Sequence, residues 1–94
     1  MALFDLLGRR MTLRILWELS NATAPMKFRE LQEAANTNPS VLNARLKDLR
    51  EAKVVVRDAD GYVLSELGRS LLIQVRPLRE WAERWASHVA ASDT

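Results

Sequence analysis

TNPSVLNARLKDLR, residues 37–50, joins two kinds of text. Thr37-Asn38-Pro39-Ser40 is turn chemistry. Beyond it, Leu42, Leu46 and Leu49 follow at spacings of four and three, which is one face of a helix. Ser40 is placed to cap that helix, its hydroxyl accepting a free backbone N–H of the first turn. The opposite side holds Val41, Asn43, Ala44, Lys47 and Asp48, with Arg45 next to the apolar stripe. Such a polar face is either solvated surface or a reading surface, and the flanking text decides between them.

Upstream, Arg29 to Ala35 reads as a helix with Phe28, Leu31 and Ala35 on one side. Met26-Lys27-Phe28 before it is extended and too short for more than a single bridge. SNATAP, residues 20–25, breaks an earlier helix that Thr12 is placed to cap. Leu13, Leu16, Trp17 and Leu19 lie on one side of that helix, and Ile15 widens the stripe. Ala2 to Leu7 is a short first helix ending at Gly8.

Downstream, VVVRDADGYVLS reads as a hairpin: β-branched Val54 to Val56, a turn over Asp58 to Gly61, and Tyr62 to Leu64 returning. Glu66 to Ala91 is helical in pattern, with a kink or restart expected at Arg76–Pro77 because proline disrupts a helix interior at about 3 kcal/mol. The order is helix, helix, short strand, helix, turn, helix, hairpin, long helix. This is the winged helix-turn-helix plan: mainly α with a small β-hairpin, in the α+β class. One domain spans 1–94, with the helix-turn-helix at about 29–52, the wing at 54–65 and a C-terminal helical region at 66–91.

Composition narrows the function. The 94 residues include no cysteine, which excludes disulfides, thiolate nucleophiles and zinc-thiolate sites and is compatible with a cytoplasmic location. No apolar run approaches the roughly 18 residues needed to cross a bilayer, so no membrane partner is expected. The net charge of +2 is small, but its distribution is uneven. Residues 27–57 hold seven bases and four acids, whereas residues 58–94 hold four bases and six acids. A basic middle suits a polyanion. His88 is the only histidine, and no nucleophile–base pair, metal motif or phosphate loop is present, so neither an enzyme nor a cofactor is expected. Glu80, Glu83 and Asp93 read as solvated face rather than as a metal site.

Five segments in order, TLRILWELS (12–20), MKFRELQEAA (26–35), PSVLNARLKDLREAKVV (39–55), YVLSELGRSLL (62–72) and PLREWAERW (77–85), resemble the HxlR-type winged helix regulators, relatives of the MarR group. The resemblance covers nearly the whole chain. It implies a bacterial, dimeric, DNA-binding transcriptional regulator in which residues 29–35 form the first helix of the helix-turn-helix and residues 40–52 the recognition helix. It also implies a dimer made by the N-terminal and C-terminal helices, which brings in Phe4 and Leu7. Three departures stand out. The cysteine by which many members sense oxidants or electrophiles is absent. The wing, RDADGY, is short and acidic, so it is expected to contribute little. Lys53 stands where the family usually has glycine, a position that costs lysine roughly 1 kcal/mol if it is left-handed.

In this context Asn43 and Lys47 become candidate base readers, since asparagine pairs with adenine and lysine with guanine. Ser40 and Ala44 permit close approach, with Ala44 against a thymine methyl, and Ser40 with the free N–H groups, Asn38 beside them, suits a phosphate. Lys27, Arg29 and Arg57 suit phosphates, while Arg45 is divided between DNA and an ion pair inside the domain. Leu71, Val75, Leu78, Ala82, Trp85 and Val89 form a heptad seam flanked by Leu72 and Trp81, more apolar surface than one small domain covers, so a homodimer is expected. The alternative function is a winged-helix protein–protein interaction module using the C-terminal helix. A small-molecule effector is a further partner the sequence admits, in a cleft of Trp17, Trp81 and Trp85. The simpler reading makes these tryptophans core or dimer contacts.

Overall fold

The computed structural model describes residues 2–92. Five helices and one hairpin follow in order: α1 (Ala2–Leu7), α2 (Thr12–Asn21), α3 (Phe28–Ala35), α4 (Pro39–Glu51), β1 (Val55–Asp58), β2 (Gly61–Leu64) and α5 (Glu66–Ser92). This is the expected winged helix-turn-helix order.

The core is assembled from one stripe of each helix. On α2 the buried residues are Thr12, Ile15, Leu16 and Leu19. At about 100° per residue these cluster on one side, and Leu13 falls roughly 110° from their centre. The structure therefore corrects the expected stripe: Leu13 is 41% exposed and Ile15 is fully buried. The expected cap is also corrected. Met11, in a left-handed conformation, takes the cap position of α2, and Thr12 turns inward as its first residue. Leu31 and Ala35 of α3, and Leu42, Leu46 and Leu49 of α4, complete the helical part of the core.

The α3–α4 turn is compact because both ends are held locally. Asn36 adopts a left-handed conformation (φ 53°) and ends α3, and the Thr37 N–H returns to the Gln32 carbonyl at 3.2 Å. Asn38, not Ser40, then caps α4: its Oδ1 accepts the Val41 N–H at 2.9 Å. Pro39 fills the first helical position, where its missing N–H costs nothing, and this moves the cap two residues ahead of the expected one.

Lys53 is left-handed (φ 66°), as the unusual lysine at that position foreshadowed. The turn it makes sends the chain into the wing. β1 and β2 pair antiparallel with Val55 opposite Leu64 and Arg57 opposite Tyr62. The Asp58 carboxylate accepts the N–H groups of Asp60 and Gly61 and so shapes the turn. Met26 adds the single expected bridge, exchanging two backbone hydrogen bonds with Tyr62 at 2.7 and 3.0 Å. Gly61 (φ 142°) is required there, because a Cβ would meet the Met26 carbonyl.

Ser65 links the wing to α5. Its hydroxyl donates to the Lys53 carbonyl at 2.7 Å and accepts the Gly68 N–H at 3.0 Å. The helix that follows runs through Pro77 as one element, so of the expected kink or restart the restart does not occur. Proline leaves the Ile73 carbonyl without its helical donor, but Ile73 and Pro77 both face solvent, where water takes that bond. At about 1.5 Å per residue the 27-residue helix is roughly 40 Å long, and it accounts for the 50 Å long axis of the molecule. Its hydrophobic side chains reach the core in the first part, through Leu71 and Leu72. No helix among the described residues is long and apolar enough to cross a membrane.

Candidate nucleic-acid interface

With its leucine stripe buried, α4 turns Ser40, Asn43, Lys47 and Arg50 to solvent. Asn38 is exposed as well, with its Oδ1 committed to the cap and its amide N–H groups free to donate outward. Ala44 is half-buried, so less of it is presented than the sequence suggested.

Arg45 lies on the inner side of this face. Its guanidinium sits 3.2 Å from the Asp48 carboxylate, and Arg9, from the turn after α1, approaches the same oxygen at 2.9 Å. Asp48 is thus enclosed between two cations, with its side chain only 19% exposed. Of the two roles open to Arg45, the geometry supplies the ion pair. Asp48, which would otherwise repel a phosphate, is neutralised.

The wing brings further charge to α4. Lys47, Arg50, Lys53 and Arg57 line one concavity whose floor is Val55 and Val56, with Glu51 its single acid. Arg57 also shares a second depression with Lys27. It is stacked over the Tyr62 ring at 5.6 Å, which limits its rotamers. Asp58 and Asp60 line that second depression too, so the excess of basic charge lies where the wing meets the C-terminal half of α4. Arg29 is exposed beside Lys27 at the start of α3. From the sequence, Arg50 and Lys53 read as plain surface before distal phosphate contacts. Their place in the concavity comes from the left-handed turn at Lys53, which folds β1 back beside α4.

The second surface is apolar. Leu78, Trp81, Trp85 and Val89 on α5 are 42–58% exposed, and Phe4 on α1 is 66% exposed. Leu7, Leu71 and Val75 are half-buried. Leu67 and Ile73, which the heptad reading passed over, are 58% and 64% exposed. Trp81 and Trp85 stack on each other with centroids 6.2 Å apart, whereas the Trp17 ring is covered by the Arg79 guanidinium at 4.0 Å. The cavity that does lie between α2 and α5 has no tryptophan in its lining, so it is not the tryptophan cleft that the sequence admits as an alternative. No cluster of three metal-ligating side chains occurs among the described residues; Asp93 lies outside them.

The family model for HxlR-like helix-turn-helix proteins matches residues 6–90. The chain belongs to the HxlR-like helix-turn-helix family. Solved structures agree with this HxlR-like fold. The quinone-bound YodB of B. subtilis superposes with a TM-score of 0.80 and 30% identity, over 88% of this chain and 93% of that one. A possible HxlR family transcriptional factor from Thermoplasma volcanium superposes at 0.81 with 24% identity, over 87% and 79%, and supports the fold alone. No curated protein matches in sequence. In the HxlR-like frame α3 and α4 are the two helices of the helix-turn-helix and β1–β2 is the wing.

Proposed function

We propose that this HxlR-like chain is a sequence-specific, DNA-binding transcriptional regulator that acts as a homodimer on an inverted-repeat operator. The observation that carries the reading is the α4 face. Exposed Asn43 and Lys47 project from a helix anchored by three buried leucines, and the basic concavity of Arg50, Lys53 and Arg57 flanks them, with Lys27 at the start of α3. The helix enters the major groove, Asn43 and Lys47 meet base edges, and the flanking cations take phosphates. Ser40 and the free amide of Asn38 contact backbone oxygens at the N-terminus of α4. Arg45 acts indirectly, by holding Asp48.

The dimer is supported by the distal half of α5, whose apolar residues Leu78, Trp81, Trp85 and Val89 stay 42–58% exposed. Two copies paired along Leu78, Trp81, Trp85 and Val89, with Phe4 at the flank, are expected to present two α4 helices at the spacing of about 34 Å that successive turns of DNA ask of a helix-turn-helix dimer. The same face would serve a protein-docking module, but such a module has no use for four bases around one concavity. Because the chain has no cysteine, capture of an electrophile by a thiol is closed to it.

Sedimentation of the wild type and of Trp85→Glu, with each then offered a random duplex pool, tests this reading. The wild type is expected to be dimeric at about micromolar concentration and to enrich an inverted repeat. Trp85→Glu is expected to stay folded, because Trp85 is 56% exposed, but to become monomeric and lose the enrichment. A monomeric wild type, or a pool that emerges unenriched, would refute the proposal.

A further inference from the structure

Outside the DNA face, one concavity lies where four elements converge: the C-terminal end of α2, the loop of residues 22–25, strand β2 and α5. Its volume is about 440 Å³. That is within the roughly 300–1,000 Å³ of small-molecule sites. Leu19, Leu64 and Leu72 form an apolar wall, continued outward by Ile73. Two cations, Arg69 and Arg76, stand on the α5 side, and no acidic side chain is in the lining.

The two arginines differ in a way that suits an anion. One guanidinium nitrogen of Arg69 donates to the Leu64 carbonyl at 3.1 Å, which fixes the group at the edge of the apolar wall and leaves its other donors free. Arg76, two helical turns further along α5, has no ion-pair or hydrogen-bond partner among the described residues. An apolar wall faced by unneutralised guanidinium groups has the complement of a small amphipathic anion: a hydrocarbon body against the leucines and a carboxylate across the arginines. A neutral ligand of the same shape would forgo the charge-assisted bonds, and a cation would be repelled.

We infer that this cavity binds a small apolar monocarboxylate, held through its carboxylate by Arg76 and Arg69 and through its hydrocarbon part by Leu19, Leu64 and Leu72. The site joins β2 of the wing to the helix that carries the exposed apolar face. The inference does not depend on the DNA reading, because no residue of the α4 face takes part.

Isothermal titration of the full chain with benzoate and hexanoate tests it, with benzamide and hexanamide as neutral counterparts. One carboxylate is expected to bind per chain, saturably, with its amide at least tenfold weaker. Arg76→Gln should weaken carboxylate binding at least tenfold. Arg84→Gln, which removes an exposed arginine of the same helix outside this cavity, should leave binding unchanged. Leu72 is almost fully buried, so its truncation risks the fold. Ile73→Asp, at a residue 64% exposed, is the safer second variant and should also abolish binding by placing an acid in the lining. The inference is overturned if neither carboxylate binds saturably up to about 10 mM, a ceiling near −2.7 kcal/mol of affinity. Equal binding of the amides, or full binding by Arg76→Gln, overturns it too.

Discussion

Asn38 caps α4 and, in the proposed reading, also contacts DNA, and three substitutions separate the two roles. Its Oδ1 accepts the Val41 N–H at 2.9 Å, the one side-chain bond to the free N–H groups at the start of α4. Replacing an asparagine cap by alanine costs 0.5–2 kcal/mol, typically about 1. Pro39 keeps the first turn preorganised, so a loss of about 1 kcal/mol is expected for Asn38→Ala. For a domain of 94 residues this lowers the midpoint of thermal unfolding by about 4–8 °C. Asn38→Ser keeps a capping oxygen and should unfold within about 0.5 kcal/mol of the wild type. Asn38→Asp keeps the cap as well, and its charge favours the helix N-terminus by about 0.3–1 kcal/mol. On DNA the order changes. The aspartate sets a carboxylate where the proposed phosphate lies, so Asn38→Asp should bind DNA at least tenfold more weakly although it folds as well as the wild type. Circular dichroism melts and fluorescence anisotropy with an enriched duplex read the two effects. An unshifted melt for Asn38→Ala would show that the cap is not holding α4. Wild-type DNA affinity for Asn38→Asp would show that no phosphate lies at this end of the helix.

Two further substitutions probe the supports of the reading face. Lys53→Gly relieves the left-handed conformation at φ 66° and should raise stability by about 0.5–1 kcal/mol in urea denaturation; a loss would mean that the lysine stem contributes packing that outweighs the strain. Asp48→Ala frees Arg9 and Arg45, two cations near the DNA face. Non-specific DNA affinity should rise and the salt dependence of binding steepen by about one unit or more, and an unchanged slope would show that neither arginine reaches a phosphate.

Much of the architecture was legible because local signals agreed. The leucine spacing of α4, the β-branched run before Asp58 to Gly61 and the heptad on α5 each specify an element, and the structure has all three. The errors fall where two local rules compete. Asn38 and Ser40 are both capping residues, and the proline between them decides: Pro39 belongs at the first helical position, so the cap precedes it. Thr12 has the chemistry of a cap, but its position on the stripe of Ile15, Leu16 and Leu19 draws it into the core. Pro77 removes one helical bond, but it lies on an exposed side, where the orphaned carbonyl is open to hydration, and α5 does not restart there. At the candidate site, Asn43 and Lys47 were legible from the face opposite the leucines. The basic concavity was not, because Arg50, Lys53 and Arg57 meet only after the wing folds back, and no spacing along the chain encodes that contact. Asp48 is similar: its second partner, Arg9, is nearly forty residues away in sequence.

The central claim is that α4 reads base sequence through its exposed face. Its most direct test is the affinity of Asn43→Ala and Lys47→Ala, beside Lys27→Ala and Arg29→Ala, for an enriched operator and for a scrambled duplex across a salt series. Each of the first pair should lose about 1–3 kcal/mol on the operator and much less on scrambled DNA. Each of the second pair should lose affinity on both duplexes and flatten the salt slope by about one unit. Equal losses on operator and scrambled DNA for Asn43→Ala and Lys47→Ala would contradict the claim and reduce α4 to a backbone contact.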